Sequence, residues 1–273
     1  MKKLFDWEEP DLAILTGDMV SNYAWDGKTI GWYEMQWKKW TTAFIEKDLR
    51  YMYVQGNHDA LADLNRDEVA SLDMSLNISL TEKGPQEIHG TSNYVKTVYD
   101  STGEQKLFYL WAFDSMSDNC ENVKGWGCVY PDAVQWYRQK SQELIKEDGK
   151  VLPGYAFFHI PLPEYMDMYN TQDIFGHQKE EVCCFSVNTG LYAAFKEMGN
   201  VEATFCGHDH NNDYWGDHYG IKLHFGRKTG HGGYGPAFGM KRGARILEFT
   251  ADEEGKINLN TWIRQEDGSV VTQ

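Results

Sequence analysis

Residues Val201–Asp213 read VEATFCGHDHNND. Val201, Ala203 and Phe205 alternate with Glu202, Thr204 and Cys206, the two-residue period of a short strand. Gly207 breaks the run, and His208, Asp209 and His210 follow at once. A strand that stops in such a cluster holds several metal-ligating side chains on one rigid support. Taken alone, His-x-His reads equally well as a polar turn.

The same device recurs three times. Leu12–Thr16 ends in Gly17 and Asp18, and Tyr51–Val54 ends in Gln55-Gly56-Asn57-His58-Asp59. Tyr155–Phe158 ends in His159, followed by Ile-Pro-Leu-Pro-Glu. In an open α/β sheet, sites collect in the crevice beyond the carboxyl ends of the strands. Four strand ends carrying Asp, Asn-His-Asp, His and His-Asp-His therefore predict one convergent site. Carboxylate, amide oxygen and imidazole together suit metals of the zinc, manganese and iron group.

The order GD, GNHD, a single His after an apolar strand, then GHDH resembles that of the calcineurin-like metallophosphoesterases. PDLAILTGD, SLTEKGPQEIHGTSNY, YAFFHIPLPEY, VNTGLYAAF and FCGHDHNNDYWG are similar to the purple-acid-phosphatase-related branch, and the likeness runs from about Glu9 to Phe249. It implies an α/β (α+β) fold, a two-sheet β-sandwich flanked by helices in four layers, αββα. It implies a metal-dependent phosphatase that hydrolyses a phosphomonoester through a hydroxide bridging two metals of the Fe, Zn, Mn group. Asp18 would bridge the two ions, Asn57, His159 and His208 would complete one, and His210 would belong to the other. His58 would face the phosphate and protonate the leaving oxygen, with Asp59 placed to hold its orientation.

The chain departs from that pattern twice. Ser21 stands where purple acid phosphatases place a metal-bound tyrosine, and Tyr23 is two residues further on, so the likeness does not extend to the ferric–tyrosinate colour. The family also opens with an Asp-x-His strand, and the sixteen residues before Gly17 contain none. The expectation is that the opening strand is missing, that one metal is held weakly, and that model esters are hydrolysed poorly. The alternative function is a catalytically impaired relative acting as a binding domain.

The 273 residues suit one domain, 1–273. With 26 basic against 41 acidic residues, the surface repels nucleic-acid phosphates. A nucleic-acid partner is excluded, and a small-molecule or protein phosphoester is expected. No run reaches membrane-spanning length, and MKKLFDWEE lacks the apolar core of a secretory leader. Compartment and oligomeric state stay open. The five cysteines form no CxxC, so a structural zinc site is not expected. Cys120 and Cys128 share a loop and are read as free thiols able to bridge in an oxidising compartment. Cys183 and Cys184 are read as structural, with no nearby His or carboxylate pattern to activate a thiol.

Tyr33, Trp37, Trp40 and Phe44 fall at helical spacing and predict a helix packed on the sheet. Asp59–Ser75 is also read as helical. Ser92–Tyr99 and Lys106–Phe113 read as a hairpin, and Asp114–Tyr130 as a long loop. Pro131 opens a helix that Gly149 ends, and Leu191, Ala194, Phe195 and Met198 mark another. Arg245–Phe249 and Lys256–Arg264 read as closing strands after a glycine-rich loop, Gly226–Gly243. His177 and His231 lie on loops able to reach substrate. His89 and His218 are expected in solvent, and His224 is expected as a hydrogen-bonded core residue.

Overall fold

The computed structural model describes residues 1–273. Helix α1 (Lys2–Glu8) leads to strand β1 (Ala13–Leu15), helix α2 (Trp32–Lys47), strand β2 (Tyr51–Tyr53) and helix α3 (Arg66–Asp73). Strands β3 (Tyr94–Tyr99), β4 (Lys106–Ala112), β5 (Asp118–Cys120) and β6 (Val123–Trp126) precede helix α4 (Pro131–Asp148). Then come β7 (Gly154–Phe157), α5 (Glu164–Thr171), β8 (Ile174–Phe175), α6 (Leu191–Met198), β9 (Val201–Cys206), β10 (Trp215–His218) and β11 (Ile221–Phe225). Strands β12 (Gly243–Ala251), β13 (Ile257–Gln265) and β14 (Val270–Thr272) close the chain.

Alternation of side chains along the strands decides the layering. At β2, Tyr51 and Tyr53 point outward to Trp37, Trp40 and Phe44 of α2, whereas Met52 and the following Val54 point inward. The inward set meets Phe108, Leu110, Tyr155, Phe157, Ala203 and Phe205 of a seven-stranded sheet ordered β3-β4-β7-β9-β11-β10-β8. Phe249 and Ile257 of the β12–β13–β14 meander close the same interior. On the other face of the large sheet, Trp111, Phe113 and Phe158 bury against Tyr137 of α4 and Phe195 of α6. The result is helix, sheet, sheet, helix. Each fully buried aromatic adds about 1.5–3 kcal/mol, so the α2 stripe holds its layer by several such terms.

Within the large sheet β4, β7, β9 and β11 are parallel, and β1 pairs β2 in parallel. Parallel strands bring their carboxyl ends to one edge. That edge receives Gly17-Asp18, the Gly56–Asp59 turn, His159 and His208.

Five readings need correction. The loop Asp114–Tyr130 contains the hairpin β5–β6, and Cys120 and Cys128 are disulfide-bonded across it, with Cα atoms 5.6 Å apart. Glu121 and Asn122 take φ of 48° and 68°, the doubly left-handed turn that closes a two-residue hairpin. Helix α3 is far shorter than Asp59–Ser75, because Asn65 starts it with a capping box to Glu68. His218 is buried against Tyr192 rather than solvated. His224 is buried between Phe205 and Trp215, but its Nδ1 has no hydrogen-bond partner, because both neighbours are ring faces.

Candidate metal centre

The site begins with two glycines. Gly17 has φ 95°, and a Cβ there would lie 2.5 Å from the Gly56 nitrogen and 2.6 Å from His159 Nδ1. A Cβ on Gly56 would lie 2.2 Å from Asp18 Oδ1. Only bare backbone lets the ends of β1 and β2 touch. Beyond them, Asp18 and His208 sit in the left-handed region, at φ 55° and 69°. Such conformations cost on the order of 1–3 kcal/mol for a residue with a side chain and persist where the surroundings enforce them.

Asp59 is one enforcer. Its Oδ2 accepts the Asp18 and Gly56 amides at 2.7 Å each, and its Oδ1 accepts the Val20 amide at 2.9 Å. Burial and the Asp18 charge push its carboxyl pKa up, while the backbone N–H groups pull it back. This corrects the role read from sequence: the carboxylate is committed to the backbone of three residues, not to the His58 ring. Arg66 is a second enforcer. It donates to the carbonyls of Gln55 and Gly56 at 3.2 and 2.9 Å and pairs with the buried carboxylate of Asp114.

The structure brings Asp18, Asn57, His159 and His208 together. His159 Nε2 lies 2.9 Å from Asn57 Oδ1, 3.2 Å from Asp18 Oδ2 and 3.2 Å from His208 Nδ1. His208 Nδ1 lies 3.0 Å from Asn57 Oδ1. His159 Nδ1 is 2.6 Å from the Thr16 carbonyl, which can only accept, so that nitrogen carries the proton and Nε2 turns to the centre. His210 shows the same device, donating from Nδ1 to the Tyr234 carbonyl at 2.7 Å. Its ring stacks on Tyr234 at 4.0 Å and lies outside the group of Asp18, His159 and His208, whose ligand atoms fall within 4.8 Å of one another.

The donor set fits a cation of the zinc, manganese and iron group. Several Lewis-basic atoms face one point, and either a proton or a metal must separate them. Burial opposes charge on His159, but the Asp18 carboxylate more than offsets it, and the His159 pKa is raised. Asp18 is lowered in turn, because His159 outweighs its burial. His208 is pushed down to about 3 by burial and by His159. Burial and the Lys228 charge lower His210.

His58 donates its backbone N–H to Asp18 Oδ1 at 2.9 Å, and its ring rests 5.0 Å from that of Tyr23. Its Nδ1 is buried with no partner. Asp209, between the two histidines, turns away to accept from Asn212 Nδ2 at 3.0 Å, and burial pushes its carboxyl up to about 7. Cys183 lies with His208 and Asp209 in space, a juxtaposition the sequence did not reveal. Burial first, and then Asp209, push its thiol up to about 11, so no thiolate forms near neutrality. His177 bonds to Asp213, and His231 faces Glu266 at 3.8 Å from the surface. Neither belongs to the cluster.

Sequence reasoning also missed Trp126, whose ring meets His208 edge-on at 4.4 Å, and Lys228. Lys228 makes no ion pair, and a Cβ on Gly233 would lie 3.9 Å from its Nζ and 3.3 Å from His210 Cε1. The only signal was its place, three residues after the end of β11, which pairs with β9.

The architecture and the donor set at the sheet edge define a class: the chain belongs to the calcineurin-like phosphoesterase family, which it matches over residues 1–212. Among its relatives, a probable inactive purple acid phosphatase of Arabidopsis thaliana, number 28, is 30% identical over 98% of this chain and 71% of its own. Number 29 of that plant is 28% identical over 98% of this chain and 73% of its own. Phosphatase DCR2 of Saccharomyces cerevisiae is 27% identical over 97% of this chain but only 47% of itself. A solved dimetal phosphatase from Danio rerio shares the fold at a TM-score of 0.55, with 13% identity over 83% of this chain and 75% of that one. No helix is long and apolar enough to cross a membrane.

Proposed function

We propose that residues 1–273 form one metal-dependent phosphoesterase domain that hydrolyses a phosphomonoester. Asp18, Asn57, His159 and His208 hold one ion of the zinc, manganese or iron group. Asp18 and His210 contribute to a second. Ions so held lower the pKa of water and neutralise phosphoryl oxygens. The observation that carries this reading is the convergence of Asp18 Oδ2, Asn57 Oδ1, His159 Nε2 and His208 Nδ1, with the His159 tautomer set by the Thr16 carbonyl.

The chain's own residues supply the rest. His58 protonates the leaving oxygen, a role supported by its backbone N–H bond to Asp18 Oδ1, which sets the residue beside the cluster. Lys228, lacking an ion-pair partner beside His210, offsets charge on the bound phosphate. Asp59 and Arg66 position the Asp18 and Asn57 turns rather than touching substrate. The acidic balance, 41 against 26, favours small-molecule or protein phosphoesters over nucleic acid.

Elemental analysis of the purified protein, paired with aryl-phosphate hydrolysis, tests the reading. His58→Ala should lower turnover about 10²–10⁴-fold with metal content unchanged. Loss of metal on that substitution would make His58 a ligand instead. A second reading, a metal-holding domain without turnover, is favoured by the plant relatives, which are named probable inactive purple acid phosphatases. Metal bound at Asp18 and His159 with no turnover under any of the three metals would select it.

A further inference from the structure

A cavity of about 180 Å³ is lined by His177, Lys179, Arg227, Phe238, Met240 and Val271, together with Gly239 and Gln265. Its lining contains no carboxylate in a chain of net charge −15. Asp213, which bonds to the lining residues His177 and Arg227, is fully buried and already saturated. Asp213 pairs with Arg227 and accepts the His177 amide at 2.7 Å and Gln273 Nε2 at 2.9 Å. Arg245 adds a second guanidinium, donating to the Asp213 carbonyl at 2.6 Å.

Arg227 is the decisive residue. It is 6% exposed, its Nη1 donates to the Lys241 carbonyl at 2.6 Å, and its Nη2 pairs with Asp213. Its Nε–H is buried with no acceptor at all. A charged donor left unmet in this way costs about 1–3 kcal/mol, and the Arg227 side chain that carries it lines the cavity. Lys179 is exposed at the mouth and makes no ion pair. Phe238, 71% exposed, forms an apolar wall with Met240 and Val271. Cationic donors at one end and an apolar wall at the other describe the complement of an oxyanion carried on a short apolar group.

We propose that this cavity binds a small organic oxyanion, a carboxylate or phosphonate-type head on an apolar arm, and that occupancy steadies the glycine-rich strap, Gly226–Gly243. Arg227 and Lys228 are consecutive, so the residue that would grip the anion adjoins the cation beside His210. The strap itself is laced by Arg242, which donates to the carbonyls of Gly230 and Gly235 at 2.9 Å each. The proposal stands independently of turnover.

The test is calorimetric titration of the metal-loaded protein with benzoate and with phenylphosphonate, read alongside amide exchange over residues 226–243. At least one probe should saturate and slow exchange across the strap. The two arms tell whether carboxylate or phosphonate is preferred. Lys179→Glu, a surface change that spares the Asp213 network, should weaken binding about tenfold or more, as loss of a charged donor does. Phe238→Ala should weaken it by a similar factor. Wild-type affinity in Lys179→Glu or in Phe238→Ala, or no saturable binding by either probe, overturns the proposal.

Discussion

Replacing Asp59 by asparagine separates two roles that its position next to His58 confuses. In the fold its two oxygens accept three backbone amides, those of Asp18, Gly56 and Val20. An asparagine oxygen can occupy the Oδ2 seat and keep two of these bonds. Its NH₂ group then faces the Val20 N–H, donor against donor. One charge-assisted bond is lost and one buried N–H is orphaned, at a combined cost of about 2–4 kcal/mol. Against a total of about 5–15 kcal/mol for an ordinary domain, that is a large fraction. Urea unfolding of Asp59→Asn should therefore show a lower midpoint at unchanged slope. Metal affinity should fall as well, since Asp18 loses part of what holds its left-handed backbone. If Asp59 instead oriented the His58 imidazole, the variant would keep wild-type stability and metal content and lose only turnover. A midpoint corresponding to less than about 0.5 kcal/mol, with metal retained, would refute the clamp.

Other outcomes follow from the same geometry. Burial holds His224 well below the usual imidazole range, so as pH falls through about 6.5 the unfolded chain takes up a proton that the folded chain refuses. The stability this neutral ring contributes is complete above that pH and is lost below it. His224→Phe should consequently be less acid-sensitive than wild type, by about 2 kcal/mol at pH 5, and parallel urea midpoints across pH 8 to 5 would contradict this. Zinc must displace the proton that Asp18 favours on His159, so affinity should fall about tenfold per pH unit below that raised pKa; a pH-independent affinity would show that no proton is exchanged. The double change Cys120→Ser, Cys128→Ser opens a loop of sequence separation 8. It should cost about 2–3 kcal/mol by chain entropy and loosen Trp126 from His208, measured as a lower melting temperature and faster metal loss; an unchanged melting temperature would count against both.

What was legible in the sequence was whatever a short range of residues decides. The α2 stripe of Tyr33, Trp37, Trp40 and Phe44 is a period, and a period survives into the fold. The carriers of Asp18, Asn57, His159 and His208 were readable because each apolar run stops abruptly in a ligand-type residue. Asp59 misled for the opposite reason. Its direction is set by the contact between Gly17 and Gly56, residues 39 positions apart that meet only when β1 and β2 pair. Strands β8, β10 and β14 span only two to four residues, too few to show a period. The disulfide depended on a left-handed Glu121-Asn122 turn, and glutamate gives little warning of positive φ. Arg227 and Lys228 sit in a glycine-rich loop whose composition says nothing about which face each one takes.

The left-handed backbone of Asp18 and His208 has a meaning for substitution at both positions. At φ 55° and 69°, glycine would relieve both positions, by about 1 kcal/mol or more each. Asp18→Gly would also remove a buried negative charge. Backbone relief is one side of the balance, since Asp18→Gly would also leave the His58 N–H and the His159 ring without the carboxylate they face. This chain carries the aspartate and the histidine at both positions. The strained backbone at these two positions is the same backbone that turns Asp18 Oδ2 and His208 Nδ1 toward His159 Nε2.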